Sequence, residues 1–200
     1  MTGLEAAQQE IADAVERLEP EPVHTRHVTR LALQLFDSLR EDHRLEPHAR
    51  LILETAAALH DIGWRVAPDG TRHHKASARL IRDQPWQHLD PDTVKLAALV
   101  ARYHRKSPPS ERHRRFAALG YPCRELVQKL AALLRVADGL DRSHLQLVQS
   151  VTASLSPGQL RVRLNASRPV PREIAAATKK GDLARTVFAR DLIFETRLPA

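Results

Sequence analysis

The sequence predicts a mainly α protein: a helical bundle over residues 1–145, followed by a small α+β hairpin-and-helix appendage over residues 146–200. Apolar residues recur at helical spacing in successive segments as far as about Arg142. Beyond His144 the period changes to alternation, and the Pro- and Gly-containing clusters fall between segments rather than inside them.

Taken in order, Gly3 to Leu18 has the pattern of a polar amphipathic helix, ended by Glu19-Pro-Glu-Pro22. Residues 1–20 therefore stand as an N-terminal helix ahead of a core over 22–145. Val23 to about Leu39 is the second helix, with Val28, Leu31, Leu33, Leu35 and Phe36 as its apolar stripe. Leu45 to Leu59 is the third and delivers His60 and Asp61 at its end. Trp64 to Arg72, with Pro68-Asp-Gly70, reads as a turn-rich loop. His74 to Asp83 and Asp90 to Tyr103 are two further helices, separated by Gln84-Pro-Trp86. Ser107-Pro-Pro-Ser110 breaks the pattern, a short helix runs on to Leu119, and Gly120-Tyr-Pro122 closes it. Cys123 to about Arg142 is long and strongly apolar. Leu147 to Leu155 and Gln159 to Asn165 alternate on either side of Ser156-Pro-Gly158, which is a hairpin signal. Pro171 to about Ala189 reads as one helix, and Leu192 to Thr196 as a third strand.

Composition narrows the partners. Thirty-one Lys and Arg against 24 Asp and Glu leave a formal charge of +7, a surplus that attracts polyanions. Aromatic residues make up only 4% of the chain, so stacking platforms for single-stranded nucleic acid are scarce. A small phosphorylated ligand, a nucleotide above all, is the better expectation. No run approaches the ~18 apolar residues of a membrane span, and the first residues lack the basic start and apolar stretch of a secretory leader. The single Cys123 cannot form an internal disulfide, in keeping with a reducing compartment, and reads as a small buried residue rather than a nucleophile. A cytoplasmic location is expected.

The most informative pair is His60-Asp61, in Thr55-Ala-Ala-Ala-Leu-His-Asp-Ile-Gly63. A carboxylate at the inner end of so apolar a helix needs a compensating charge, which a divalent metal or a nearby arginine supplies. Gly63 is expected to provide the turn after the helix, through its conformational freedom. Other ligand-type residues arrive in sequence: His24 (with His27 on the same helix face), His73-His74, His104 and Asp138. One or two per segment, each at an end or on one face, is how a bundle builds a metal site.

That order, His, His-Asp, His, His, Asp, resembles the HD superfamily of metal-dependent phosphohydrolases, and the bundle would then be of the HD type. The resemblance implies His24, His60, Asp61 and Asp138 on one metal. His73 or His74, together with His104, would hold a second, with Asp61 bridging. By the superfamily's spacings His24 is favoured over His27, because it precedes Val28 by four; His73 is favoured over His74, because of Ser77-Ala78; Asp138 is favoured over Asp141, which is expected to face away and pair with Arg142 or act as a cap. Imidazole and carboxylate donors suit Mn, Fe, Co, Ni or Zn, as one ion or two. A metal-activated water would then hydrolyse a phosphate ester, with Asp61, His104 and Lys75 as catalytic groups, and Lys75, Arg102, Arg105 and Lys106 on the substrate phosphate. Alarmone hydrolases of the superfamily carry an acidic pair soon after their His-Asp. The continuation Ile62-Gly-Trp-Arg65 has none, which argues against that mechanism.

A second, narrower resemblance rests on Pro22 to Phe36, His73 to Ile81, Val100 to Lys106, Leu134 to Ser143 and Lys179 to Phe188. These segments are similar to the C-terminal half of the exopolyphosphatase/guanosine pentaphosphatase family, over about Pro22 to Phe194. That family's polyphosphate-cleaving site lies in N-terminal actin-like domains, which these 200 residues do not contain. Polyphosphate binding, but not its processive cleavage, is the expectation. The expected activity is that of a metal-dependent phosphohydrolase. The alternatives are a non-catalytic nucleotide- or polyphosphate-binding module, which allows a homodimer, and a diiron oxygenase.

Overall fold

A computed structural model describes residues 2–198 and shows a mainly α protein with a small sheet near the C-terminus, as the periodicity predicts. Helix α1 spans Gly3–Leu18 and starts with a capping box in which Thr2 and Glu5 satisfy each other's backbone N–H groups. Helix α2 spans Pro22–Ser38, with Pro22 in the first turn, where its missing N–H costs nothing. A single turn, α3 (Arg40–His43), leads to α4 (His48–Ala58), and a 3-10 turn follows over Ile62–Arg65. Helix α5 covers His73–Asp83. Helix α6 covers Pro91–Arg102, with the Asp90 carboxylate accepting from the N–H groups of Asp92 and Thr93. The short α7 is Arg114–Ala117, and the long α8 is Tyr121–Gly139.

The core lies where α2, α4, α6 and α8 meet. Leu31 and Leu35 from α2, Ile52 and Leu53 from α4, and Leu130 and Leu134 from α8 are all fully buried there. Helix α5 packs on α6 and on the 3-10 turn. Among the described residues no helix is long and apolar enough to cross a membrane.

The hairpin β1 (Val148–Ser156) and β2 (Gln159–Ala166) is antiparallel, and β1 lies against α2. The third strand, β3 (Asp191–Arg197), pairs with β2 in parallel, Gln159 opposite Asp191. A parallel return needs a crossover, and here two helices supply it. The single helix expected over 171–189 is broken into α9 (Pro171–Lys180) and α10 (Asp182–Phe188). The break falls at Gly181, where an added Cβ would stand 2.3 Å from the Leu192 side chain. The Asp182 carboxylate that starts α10 is held 2.7 Å from Arg135. Both helices pack on α8, so closely at one point that a Cβ on Gly139 would lie 2.5 Å from the Ala177 backbone. This contact sets the end of α9 beside Asp138, the residue before Gly139.

Candidate metal centre

Six donor residues converge from five parts of the chain. His24 lies in the first turn of α2; His60 and Asp61 follow the end of α4; His73 opens α5; His104 follows α6; Asp138 lies near the end of α8. Their donor atoms form two groups in which every atom lies within 4.8 Å of the others: His24, His60 and Asp138, and Asp61, His73 and His104.

Three of the four histidines share one orientation, fixed by what each Nδ1 touches. His60 Nδ1 donates to the Ala57 carbonyl at 2.7 Å, and His104 Nδ1 to the Ala101 carbonyl at 2.7 Å. In both, the ring folds back over the last turn of its own helix. His73 Nδ1 lies 3.2 Å from the Gly70 carbonyl, and His24 Nδ1 2.8 Å from Asp141 Oδ2. His24, His60 and His104 therefore spend their proton outward and turn the Nε2 lone pair inward, while His73 also has Arg105 Nη1 at 3.2 Å from its Nδ1 and 3.1 Å from its Nε2. Those lone pairs meet carboxylate oxygens. Asp61 Oδ1 is 3.2 Å from His73 Nε2 and 3.5 Å from His104 Nε2, while its Oδ2 is 3.6 Å from His60 Nε2. Asp138 Oδ1 is 3.9 Å from His24 Nε2. Lone pairs facing carboxylates in a buried site repel unless a cation lies between them. His60 Nε2 and Asp61 Oδ1 are in fact buried with no hydrogen-bond partner. The donor set fits one or two divalent transition ions, with Asp61 presenting one oxygen to each group.

Burial alone would raise the Asp61 carboxyl, yet His60, His73 and His104 around it hold it well below the usual carboxylate range. Burial would likewise raise Asp138, but the Lys180 ammonium, with His104 and His60, brings it far down. Burial holds His104 well below the usual imidazole range.

Three local features differ from the sequence-based expectation. Gly63 does not turn the chain through a left-handed conformation; only Gly70 and Gly158 do so among the described glycines. It is required for space, because a Cβ there would stand 2.1 Å from the His73 carbonyl oxygen and 2.6 Å from Ser77 N. That approach brings His60-Asp61 against α5. Asp141 does not face away to pair with Arg142. It is fully buried, orients His24, and accepts the Gln146 N–H at 2.9 Å. Cys123 is half-buried rather than buried.

The remaining sequence candidates divide. His74 is buried beside the site but belongs to neither donor group, and its pKa is pushed down to about 4 by burial and by the positive charge of its neighbours. His27 also stands outside both groups, its Nδ1 lying 2.9 Å from Arg30. Arg105 and Lys106 line the cavity that opens onto the donors; Lys75 and Arg102 do not. The Arg102 guanidinium lies 5.6 Å above the Tyr103 ring.

The cavity holds about 1040 Å³, at the upper end of the usual range for ligand sites. Its wall is rich in cations that the sequence reading passed over: Arg65, Arg142, Lys179 and Lys180, beside Arg105 and Lys106. Also unforeseen were His144, whose ring stacks on His24 at 3.9 Å, and Glu19. Glu19 is buried on the cavity wall with one carboxyl oxygen unpartnered, and burial pushes it up to about 7. Trp64 stacks on His73 at 4.4 Å, closing the outer face of that ring. Arg135, buried on α8, donates to the Tyr103, Lys106 and Lys180 carbonyls and so ties the His104 loop to α9.

None of the curated proteins matches the chain. The family model described as Ppx/GppA phosphatase, domain III, matches residues 8–174, a range that holds all six donor residues. The chain belongs to the Ppx/GppA phosphatase domain III family.

Proposed function

We propose that the protein is an HD-type, metal-dependent phosphohydrolase acting on a nucleotide or another small phosphate ester. One observation carries this reading: four imidazoles and two carboxylates converge at a cavity whose wall also carries Arg65, Arg105, Lys106, Arg142, Lys179 and Lys180. A scaffold has no need of such a constellation, and a buried set of this kind without a counter-charge is destabilising. Membership of a phosphatase family supports phosphate as the group acted on.

Bound at these donors, a divalent transition metal supplies Lewis acidity toward a phosphoryl oxygen and the attacking water. The chain's own part is to place and neutralise. Asp61 holds one oxygen toward His73 and His104 and the other toward His60, and Asp141, Ala57 and Ala101 keep His24, His60 and His104 in the ligating tautomer. Arg105 and Lys106, next to His104, offer charge-assisted hydrogen bonds to phosphate oxygens entering the cavity. The test is a substrate screen on protein stripped with chelator and reloaded with Mn, Co or Ni. Phosphate release that depends on metal and is lost in Asp61→Asn is expected. A broad panel of nucleotides and phosphate esters with no metal-dependent turnover would leave a binding module.

A further inference from the structure

Lys180 stands where it can both oppose and assist the site. It is the last residue of α9, and its backbone is fixed: its carbonyl accepts from Arg135 Nε at 2.9 Å, and Gly181 behind it is wedged against Leu192. Its side chain reaches the cavity wall and ends on Asp138 Oδ2, in an ion pair with the same carboxylate that offers its other oxygen to His24. The ammonium thus neutralises a buried donor. A divalent cation at Asp138 and a lysine ammonium on the same carboxylate repel each other, and a flexible four-carbon stem can yield where a rigid fork cannot. The direction left to it is the cavity, where Lys179, Arg142 and Arg105 already face.

We propose that Lys180 competes with metal for Asp138 and, once displaced, becomes a ligand for the phosphoryl group of the substrate. This rests on the metal-dependent reading of the site and goes beyond it, by making metal loading the event that frees a substrate-binding cation. Its signature is a pair of effects of opposite sign, which a merely structural lysine would not produce.

The experiment compares wild type with Lys180→Met, which keeps the aliphatic stem. Mn(II) and Co(II) affinity is measured by competition with a chromophoric chelator, and inorganic phosphate binding to the metal-loaded protein by calorimetry. Lys180→Met should bind metal about tenfold more tightly and phosphate about tenfold more weakly. Lys179→Met removes the same charge from the same wall without touching Asp138, and should show no gain in metal affinity. Unchanged or weaker metal binding in Lys180→Met, an equal gain in Lys179→Met, or unchanged phosphate binding overturns the proposal. A wild type that binds metal and turns over substrate while Lys180→Met shows neither effect overturns this inference alone. A wild type that binds no metal overturns the reading of the site with it.

Discussion

Asp141 Oδ2 lies 2.8 Å from His24 Nδ1, a contact between the turn after α8 and the start of α2 that fixes which nitrogen of His24 faces the site. Asp141 is not itself in either donor group, so its effect passes through the imidazole. Replacing such an orienting carboxylate commonly costs about ten- to a hundredfold in metal affinity. Asp141→Asn should therefore weaken the ion held by His24, His60 and Asp138 by about that factor and leave the other group near its wild-type affinity. Metal titration with stoichiometry checks this, and a wild-type affinity at the His24, His60 and Asp138 group would remove Asp141 from the account.

Glu19 gives a pH signature in the metal-free protein. Its carboxyl is raised from 4.5 to about 7, chiefly by burial, so the folded state holds a proton that the unfolded chain has released. The stabilisation is complete below about pH 4.5 and is lost as pH rises through about 7. Glu19→Gln cannot ionise. Relative to wild type it should gain stability between about pH 5 and pH 8, by at most about 3 kcal/mol. Denaturant unfolding at the two pH values measures this, and a difference independent of pH would contradict it.

Gly63 tests the close approach of the His60-Asp61 turn to α5. An Ala Cβ would lie 2.1 Å from the His73 carbonyl and 2.7 Å from Ser77 Oγ, both of which belong to a helix that cannot simply step back. Gly63→Ala should cost about 1–3 kcal/mol, the range for overpacked sites. It should also separate Asp61 from His73, weakening the second group more than the first. A variant of wild-type stability and full metal content would show that the gap is wider than the structure has it.

The candidate donors were legible in the sequence because several histidines and aspartates recur at the ends of successive periodic apolar segments. His73 and His74 stayed ambiguous by one position. Neighbouring side chains at a helix start point in different directions, and only the contact of α5 with the 3-10 turn shows which one meets Asp61. Asp141, Glu19, His144 and Lys180 left no local pattern. Their roles arise from contacts between distant segments, such as α9 on α8, that no spacing rule encodes. The fold behaved similarly. The hairpin and helices followed from periodicity. The break at Gly181 did not, because one glycine in a helical pattern costs only about 1 kcal/mol and does not announce a stop. The parallel return of β3 also depends on where α9 and α10 dock, which is a property of the packing.

The central claim is that two groups of donors, sharing Asp61, hold metal. Elemental analysis of protein purified without a metal-affinity tag, then loaded with Mn or Co and desalted, tests it most directly. Wild type should retain metal at both groups. Asp61→Ala should lose the ion of the His73 and His104 group, and the double variant His60→Ala/Asp61→Ala should retain none. Metal content unchanged in the double variant would place the bound ions elsewhere and contradict the account.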